Sequence, residues 1–126
     1  MEKRILVVED HAEIRDMMTV TLESLGYEVS VANNGQEGIE QACKDLPDII
    51  ITDLRMPKLA GIAMIKQLRQ QAECRTIPIL VLTAYYRDYA IAALQAGANQ
   101  VLAKSADFDA LHDAVIDLIR KRGREV

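Results

Sequence analysis

The chain has 126 residues, half of them hydrophobic and 27% charged, which excludes a disordered segment and leaves room for one domain with a sizeable core. A net charge of −4 and a pI near 5.1 argue against general affinity for nucleic acid or an anionic membrane surface. The longest apolar runs, ILVV and IPILVL, fall far short of the ~20 residues that cross a bilayer, and the amino terminus lacks the features of a signal peptide. A soluble, cytoplasmic chain is expected, either a whole protein or one domain of a longer one.

Short apolar runs alternate with amphipathic segments, the pattern of successive βα units around a parallel sheet. Arg4 to Glu9 reads as a first strand, uniformly apolar because both faces are covered. Ile14, Met17, Met18, Leu22 and Leu25 then recur at helical spacing until Gly26 stops the helix. Tyr27 to Ala32 is a second, shorter strand, and Asn33-Asn34-Gly35 is turn chemistry leading into a helix from about Gln36 to Lys44. Leu46-Pro47 breaks that helix.

Asp48 to Asp53 is the third strand, with three consecutive isoleucines, and Gly61 to about Gln71 is helical. Ile77 to Thr83 is the fourth strand, entered through Pro78, where a missing donor is tolerated. A helix from Tyr89 to Ala96 ends at Gly97, and Asn99 to Ala103 is the fifth strand. The last helix runs from Asp107, a plausible N-cap, to about Arg122, with Phe108, Leu111, Val115, Leu118 and Ile119 facing inward. Residues 121–126 are expected as a basic, solvated tail, and the whole of 1–126 as a single domain. Cys43 and Cys74 match no CxxC pattern and are too few for a disulfide framework, so free thiols are expected.

Ligands of such α/β sheets bind outside the carboxyl ends of the strands. Strand one ends in Glu9-Asp10, strand three in Asp53, strand four in Thr83-Ala84 and strand five in Lys104. Each has an ordinary explanation alone: Asp10 as a helix cap, Thr83 as a β-branched strand residue, Lys104 as a solvated charge. Together they bring three carboxylates, a hydroxyl and an ammonium to one edge. Two unit charges about 5 Å apart repel by about 3 kcal/mol at an effective dielectric of ~20, so three carboxylates call for more than one lysine. A divalent cation completes the set, and oxygen-only donors suit Mg²⁺. A carboxylate beside Mg²⁺, a lysine and a hydroxyl is equipped to accept a phosphoryl group covalently.

VVEDHAEIR at 7–15, IITDLRMPKLAG at 50–61, VLTAYY at 81–86 and AGANQVLAKS at 96–105 resemble the receiver domain of two-component response regulators. The likeness covers essentially the whole chain. It implies an α/β fold, a doubly wound (βα)5 arrangement with a five-stranded parallel sheet in strand order 2-1-3-4-5 and helices on both faces. It further implies that Asp53 takes a phosphoryl group from a histidine kinase or histidine phosphotransfer protein. Asp10, Asp53 and the backbone carbonyl of Arg55 would ligate Mg²⁺, with Glu9 acting through water. Lys104 and Thr83 would contact phosphate oxygens, Ala84 would leave room for them, and Pro57 and Gly61 would shape the loop above. Arg55 and Tyr85 fall where family side chains tune dephosphorylation. A downstream protein would dock on the face of helix four, strand five and helix five, with no nucleic acid bound by this domain.

Two positions depart from the pattern. The aromatic usual three residues before the lysine is Val101, and the usual proline after it is Ser105. A cis bond before a non-proline residue costs about 2.5–4 kcal/mol, so a trans bond, or a strained one held by its surroundings, is expected there. His11 follows the acidic pair; a metal role is open to it, but a first-turn residue facing solvent is the plainer expectation. His112 sits mid-helix with no partner in the sequence and is expected at the surface. Tyr85, Tyr86 and Tyr89 are either a partner patch or one packed ring with two half-exposed ones. A signalling domain and not a turnover enzyme is the leading reading. The alternative is a receiver-like interaction domain whose output ignores phosphate. No DxD phosphatase motif, P-loop or glycine-rich loop after strand one supports a hydrolase or flavin protein.

Overall fold

The computed structural model describes residues 2–54 and 60–125, with side chains as far as residue 122. Its elements, in chain order, are β1 (Arg4–Val8), α1 (Ala12–Ser24), β2 (Glu28–Ala32), α2 (Gly35–Asp45), β3 (Ile49–Thr52), α3 (Gly61–Gln70), β4 (Ile79–Thr83), α4 (Tyr86–Ala96), β5 (Gln100–Ala103) and α5 (Phe108–Glu125). All strand pairs are parallel and the order is β2-β1-β3-β4-β5, as the resemblance implied.

Alternation along the strands divides the core into two layers. Leu6, Val8, Ile50, Ile79 and Val81 point toward α2, α3 and α4, where Met64, Leu68 and Ala93 close over them. Ile5, Val7, Ile49, Ile51 and Leu80 point the other way, against Leu22 of α1 and Val115 and Leu118 of α5. The isoleucines of β3 are therefore consecutive because each face of the central strand is buried. At about 1.5–3 kcal/mol for each fully buried side chain, this run anchors the strand.

Caps follow the local sequence. Asn34 accepts the Glu37 N–H at 3.0 Å, while the Glu37 carboxylate accepts the Asn33 N–H at 2.7 Å, a reciprocal arrangement that starts α2. Asp107 accepts the Ala110 N–H at 2.8 Å and starts α5 as expected.

Several expectations are corrected. Helix α4 begins at Tyr86 rather than Tyr89, because its first turn is fixed by backbone bonds to the Tyr85 carbonyl and not by a polar cap side chain. Phe108 is 44% exposed; it stands in the first turn of α5, ahead of the inward stripe that starts at Leu111. The basic stretch is not a free tail: α5 continues to Glu125, and Arg122 donates to the Pro47 carbonyl at 3.0 Å. His112 is half-buried and not simply at the surface, its ring meeting Tyr27 edge-on at 6.0 Å and Phe108 at 6.2 Å. The two cysteines are not free thiols. Cys43 of α2 and Cys74 after α3 form a disulfide across Cα atoms 5.3 Å apart, made possible by the packing of α2 against α3.

Arg69 of α3 is a feature the sequence pattern did not indicate. Its guanidinium donates to the carbonyls of Gly97, Arg75 and Ile77 and to the Asn99 side chain, all within 2.7–2.9 Å. It thereby ties the ends of α3 and α4 to the loop before β4, and burial lowers its pKa from the ordinary value.

Candidate functional site

Glu9, Asp53 and Lys104 each sit one residue beyond a strand, yet each remains tied to the neighbouring strand. The Glu9 N–H donates to Ala32 O at 3.0 Å, the Asp53 N–H to Val8 O at 3.3 Å and the Lys104 N–H to Thr83 O at 2.9 Å. The sheet thus fixes the Cα positions while the side chains leave it at its carboxyl edge. Glu9 and Asp53 are buried, at 2% and 8% exposure.

Lys104 Nζ lies 3.0 Å from Asp53 Oδ2 and 3.2 Å from Glu9 Oε1. The other Asp53 oxygen accepts the Leu54 N–H at 2.7 Å, and Glu9 Oε2 accepts the Asp10 N–H at 3.0 Å. Burial works against the Lys104 charge, but the hydrogen bond and attraction of Asp53, joined by Glu9, outweigh it and raise its pKa. Burial and the contact with Asp10 raise the Glu9 pKa, and Lys104 only partly counters this. One ammonium therefore serves two carboxylates, Asp53 and Glu9, with Asp10 left outside the pairing.

The ordinary explanations for these residues are not what the fold uses. The N-cap of α1 is His11 and not Asp10, and α3 begins after Ala60, well beyond Asp53. Asp10 Oδ1 is buried without a hydrogen-bond partner. An orphaned carboxylate oxygen beside two other carboxylates fits a hard divalent cation, so Asp10, with Asp53 and Glu9 nearby, could hold Mg²⁺.

Thr83 ends β4 fully buried, and its hydroxyl accepts the Tyr85 N–H at 3.0 Å. Asp10, His11, Asp53, Ala84, Tyr85 and Lys104 line a crevice of about 730 Å³ over the site. A Cβ on Gly61 would stand 2.5 Å from the Asp53 carbonyl oxygen and 2.7 Å from Leu54 Cα, so only glycine lets α3 return this close to the aspartate's backbone. The Gly61 N–H donates to Leu54 O at 2.9 Å and closes the loop. Arg55 and Pro57, expected at the site, lie outside the described residues.

Val101 is 7% exposed and packs in the core layer with Ala90, Ala93 and Ala96 of α4. Ser105 is exposed, and no peptide bond among the described residues is cis, so the Lys104–Ser105 bond is trans. Tyr85, Tyr86 and Tyr89 are all half-exposed, with Tyr85 and Tyr89 edge to face at 6.1 Å. His11 has an exposed ring, as expected of a first-turn residue facing solvent, and its Nδ1 is 3.3 Å from Asp10 Oδ1. Its position next to the acidic pair was the only sequence signal.

Comparison with known proteins agrees with this geometry. The family model described as the response regulator receiver domain matches residues 5–116. The chain is 40% identical over 105 residues to the alkaline phosphatase synthesis transcriptional regulatory protein PhoP of Bacillus subtilis, covering 82% of this chain and 43% of that protein. It is 37% identical over 121 residues to the response regulator MprA of Mycobacterium leprae, covering 94% and 51%. The chain thus spans about half the length of the curated relatives it matches. Among solved structures, the receiver domain of the sensor histidine kinase PA1611 from Pseudomonas aeruginosa superposes with a TM-score of 0.88 at 32% identity, covering 94% of this chain and 98% of that one. That structure carries a magnesium ion coordinated in its active-site cleft. Among the described residues no helix is long and apolar enough to cross a membrane. The chain belongs to the response regulator receiver domain family of two-component systems.

Proposed function

We propose that Asp53 is the phosphoacceptor. One of its carboxylate oxygens attacks the phosphorus of a phosphohistidine on a histidine kinase or histidine phosphotransfer protein. The P–N bond breaks, its electron pair goes to the imidazole nitrogen, and an acyl phosphate remains on Asp53. Lys104 holds one phosphoryl oxygen, and Thr83 turns its hydroxyl from the Tyr85 N–H toward another. Asp10, Asp53 and, as the resemblance implies, the Arg55 carbonyl would hold Mg²⁺, with Glu9 acting through water. When bound, the ion neutralises charge on the transferring group. Water later hydrolyses the acyl phosphate at the same site, with Tyr85 at its rim. The chain is on this reading a signalling domain, not an enzyme for metabolites.

The observation that carries the proposal is the 3.0 Å contact between Lys104 Nζ and Asp53 Oδ2 beside the unpartnered Asp10 oxygen. The small, exposed Ala84 supports it, since a bulkier side chain there would crowd the crevice. The test is intact-mass measurement after treatment with a small phosphodonor and Mg²⁺. One phosphoryl group is expected, absent in Asp53→Asn; undiminished modification of that variant overturns the assignment.

Phosphorylation would bias the face of α4, β5 and α5, where Tyr86, Ile91 and Leu94 are exposed to a downstream protein partner. Buried Val101 favours a second reading, in which this face docks its partner irrespective of phosphate, because no ring is present there to couple to Thr83. Equal partner affinity of free and phosphorylated protein would select that reading.

A further inference from the structure

Cys74 follows the carboxyl end of α3, and its disulfide partner Cys43 lies in α2. Two sets of contacts seat these sulfurs without help from the bond. On one side, Gly38 fits α2 closely to its neighbours: a Cβ there would stand 2.9 Å from Met64 Sδ of α3 and 3.1 Å from a Val8 methyl. On the other side, the Cys74 N–H donates to Gln71 O and the Ile77 N–H to Cys74 O, both at 3.2 Å, which closes the turn that carries Cys74. Arg69 holds the same turn through Arg75 O at 2.7 Å and Ile77 O at 2.8 Å. Opening the bond therefore removes a link and leaves the packing that aligns its two ends. The surroundings are apolar, and reduced cysteines sit there as small hydrophobes. Access is unequal: Cys74 is wholly buried and Cys43 half-buried.

We propose that Cys43–Cys74 is a reversible thiol–disulfide site, opened by a dithiol reductant while the domain stays folded, and that its state sets how firmly α3 is held at the loop beside Asp53. A thiolate of the reductant attacks Cys43 Sγ, the accessible side of the pair. The S–S bond breaks, its electron pair leaves on Cys74 Sγ, and that sulfur takes a proton. The reductant's second thiolate then attacks the reductant sulfur of the mixed disulfide and releases Cys43, which is protonated in turn. Two electrons and two protons pass to the cysteines, and the reductant leaves as its cyclic disulfide. A monothiol fails at the second step, because Cys74 stands beside the mixed disulfide and displaces it intramolecularly. With the bond open, α3 keeps only its packing. Its amino end carries the Gly61 N–H that donates to Leu54 O at 2.9 Å and closes the loop after Asp53. Any effect on phosphorylation rests on the phosphoacceptor reading; the opening of the bond does not.

The test compares the whole chain, oxidised or treated with dithiothreitol, and Cys43→Ser. Alkylation and intact mass count thiols, circular dichroism follows folding, and hydrogen exchange reads the amides of α3. Dithiothreitol is expected to give two alkylated cysteines in protein that keeps its helical spectrum. Reduced glutathione at the same thiol concentration should give at least about ten-fold less alkylation, and glutathione disulfide should close the bond again. Amides of α3 should exchange at least about ten-fold faster in the reduced wild type than in the oxidised one. Cys43→Ser should match the reduced wild type with or without dithiothreitol. A bond that yields to dithiothreitol only in urea, or a helical spectrum lost on reduction, would overturn the proposal, as would equal α3 exchange in the two states. Redox-dependent α3 exchange in a chain that phosphodonors leave unmodified at Asp53 would support it and remove the phosphoacceptor reading alone.

Discussion

Lys104 Nζ reaches Asp53 Oδ2 at 3.0 Å although β4 stands between the strands that carry them. The contact spans the sheet's carboxyl edge and sets Asp53 under a fixed positive charge. Removing that ammonium should cost transfer more than binding. Lys104→Met is expected to slow phosphorylation by a small phosphodonor by about 10²–10³, the effect of deleting one preorganised donor, with Mg²⁺ affinity equal to or above that of the wild type. A wild-type rate in that variant, measured by stopped-flow, would remove Lys104 from the mechanism.

The raised pKa of Glu9 makes a directional statement about pH. Its protonated form is favoured by the fold, so its contribution to stability is complete below the ordinary value of 4.5 and is lost as pH rises through the higher folded value. Lys104, also raised, contributes fully below 10.5 and loses its contribution only as pH rises through its own folded value in the alkaline range. In metal-free buffer, urea unfolding should therefore show stability falling as pH climbs from 4.5, by at most about 1.4 kcal/mol per pH unit for one proton. Glu9→Gln should flatten that limb and also lessen the alkaline one, since Glu9 joins Asp53 in raising the Lys104 pKa. Parallel curves for the two proteins would refute the linkage.

Gly61 keeps α3 against the backbone of the phosphoacceptor candidate. In Gly61→Ala the new methyl meets main-chain atoms that cannot swing aside, so a loss of about 1–3 kcal/mol is expected by denaturant unfolding. Phosphorylation should slow as well, because the displaced atoms belong to Asp53 and Leu54. Wild-type stability and rate together would show that the approach is looser than described.

The disulfide joins residues 31 apart in sequence. Its reduction should lower stability by about 2–4 kcal/mol. Alkylation before and after reduction, read by mass, should label no cysteine and then both. Labelling of both without reductant would restore the free thiols.

Much of this was readable in the sequence. Ile49–Ile51 announced a strand covered on both faces, and Glu9, Asp53 and Lys104 fell just past strand ends because uniformly apolar runs stop where the sheet meets water. What was not readable depends on contacts between distant segments. Cys43 and Cys74 share no motif and meet only because α2 packs on α3. Arg69 looks like any helix-end arginine until the Gly97 and Ile77 carbonyls converge on it. The Tyr85 carbonyl starts α4 with no cap residue to mark it, and His11 gains its neighbours from a side-chain direction that spacing does not encode.

The most direct test of the central claim is borohydride reduction of the protein after phosphodonor and Mg²⁺ treatment, followed by peptide mapping. An acyl phosphate on Asp53 would be converted to homoserine at position 53, and the account predicts that change there and at no other carboxylate. Homoserine at position 10, 5-hydroxynorvaline at position 9, or a phosphoryl group that resists reduction, would contradict it.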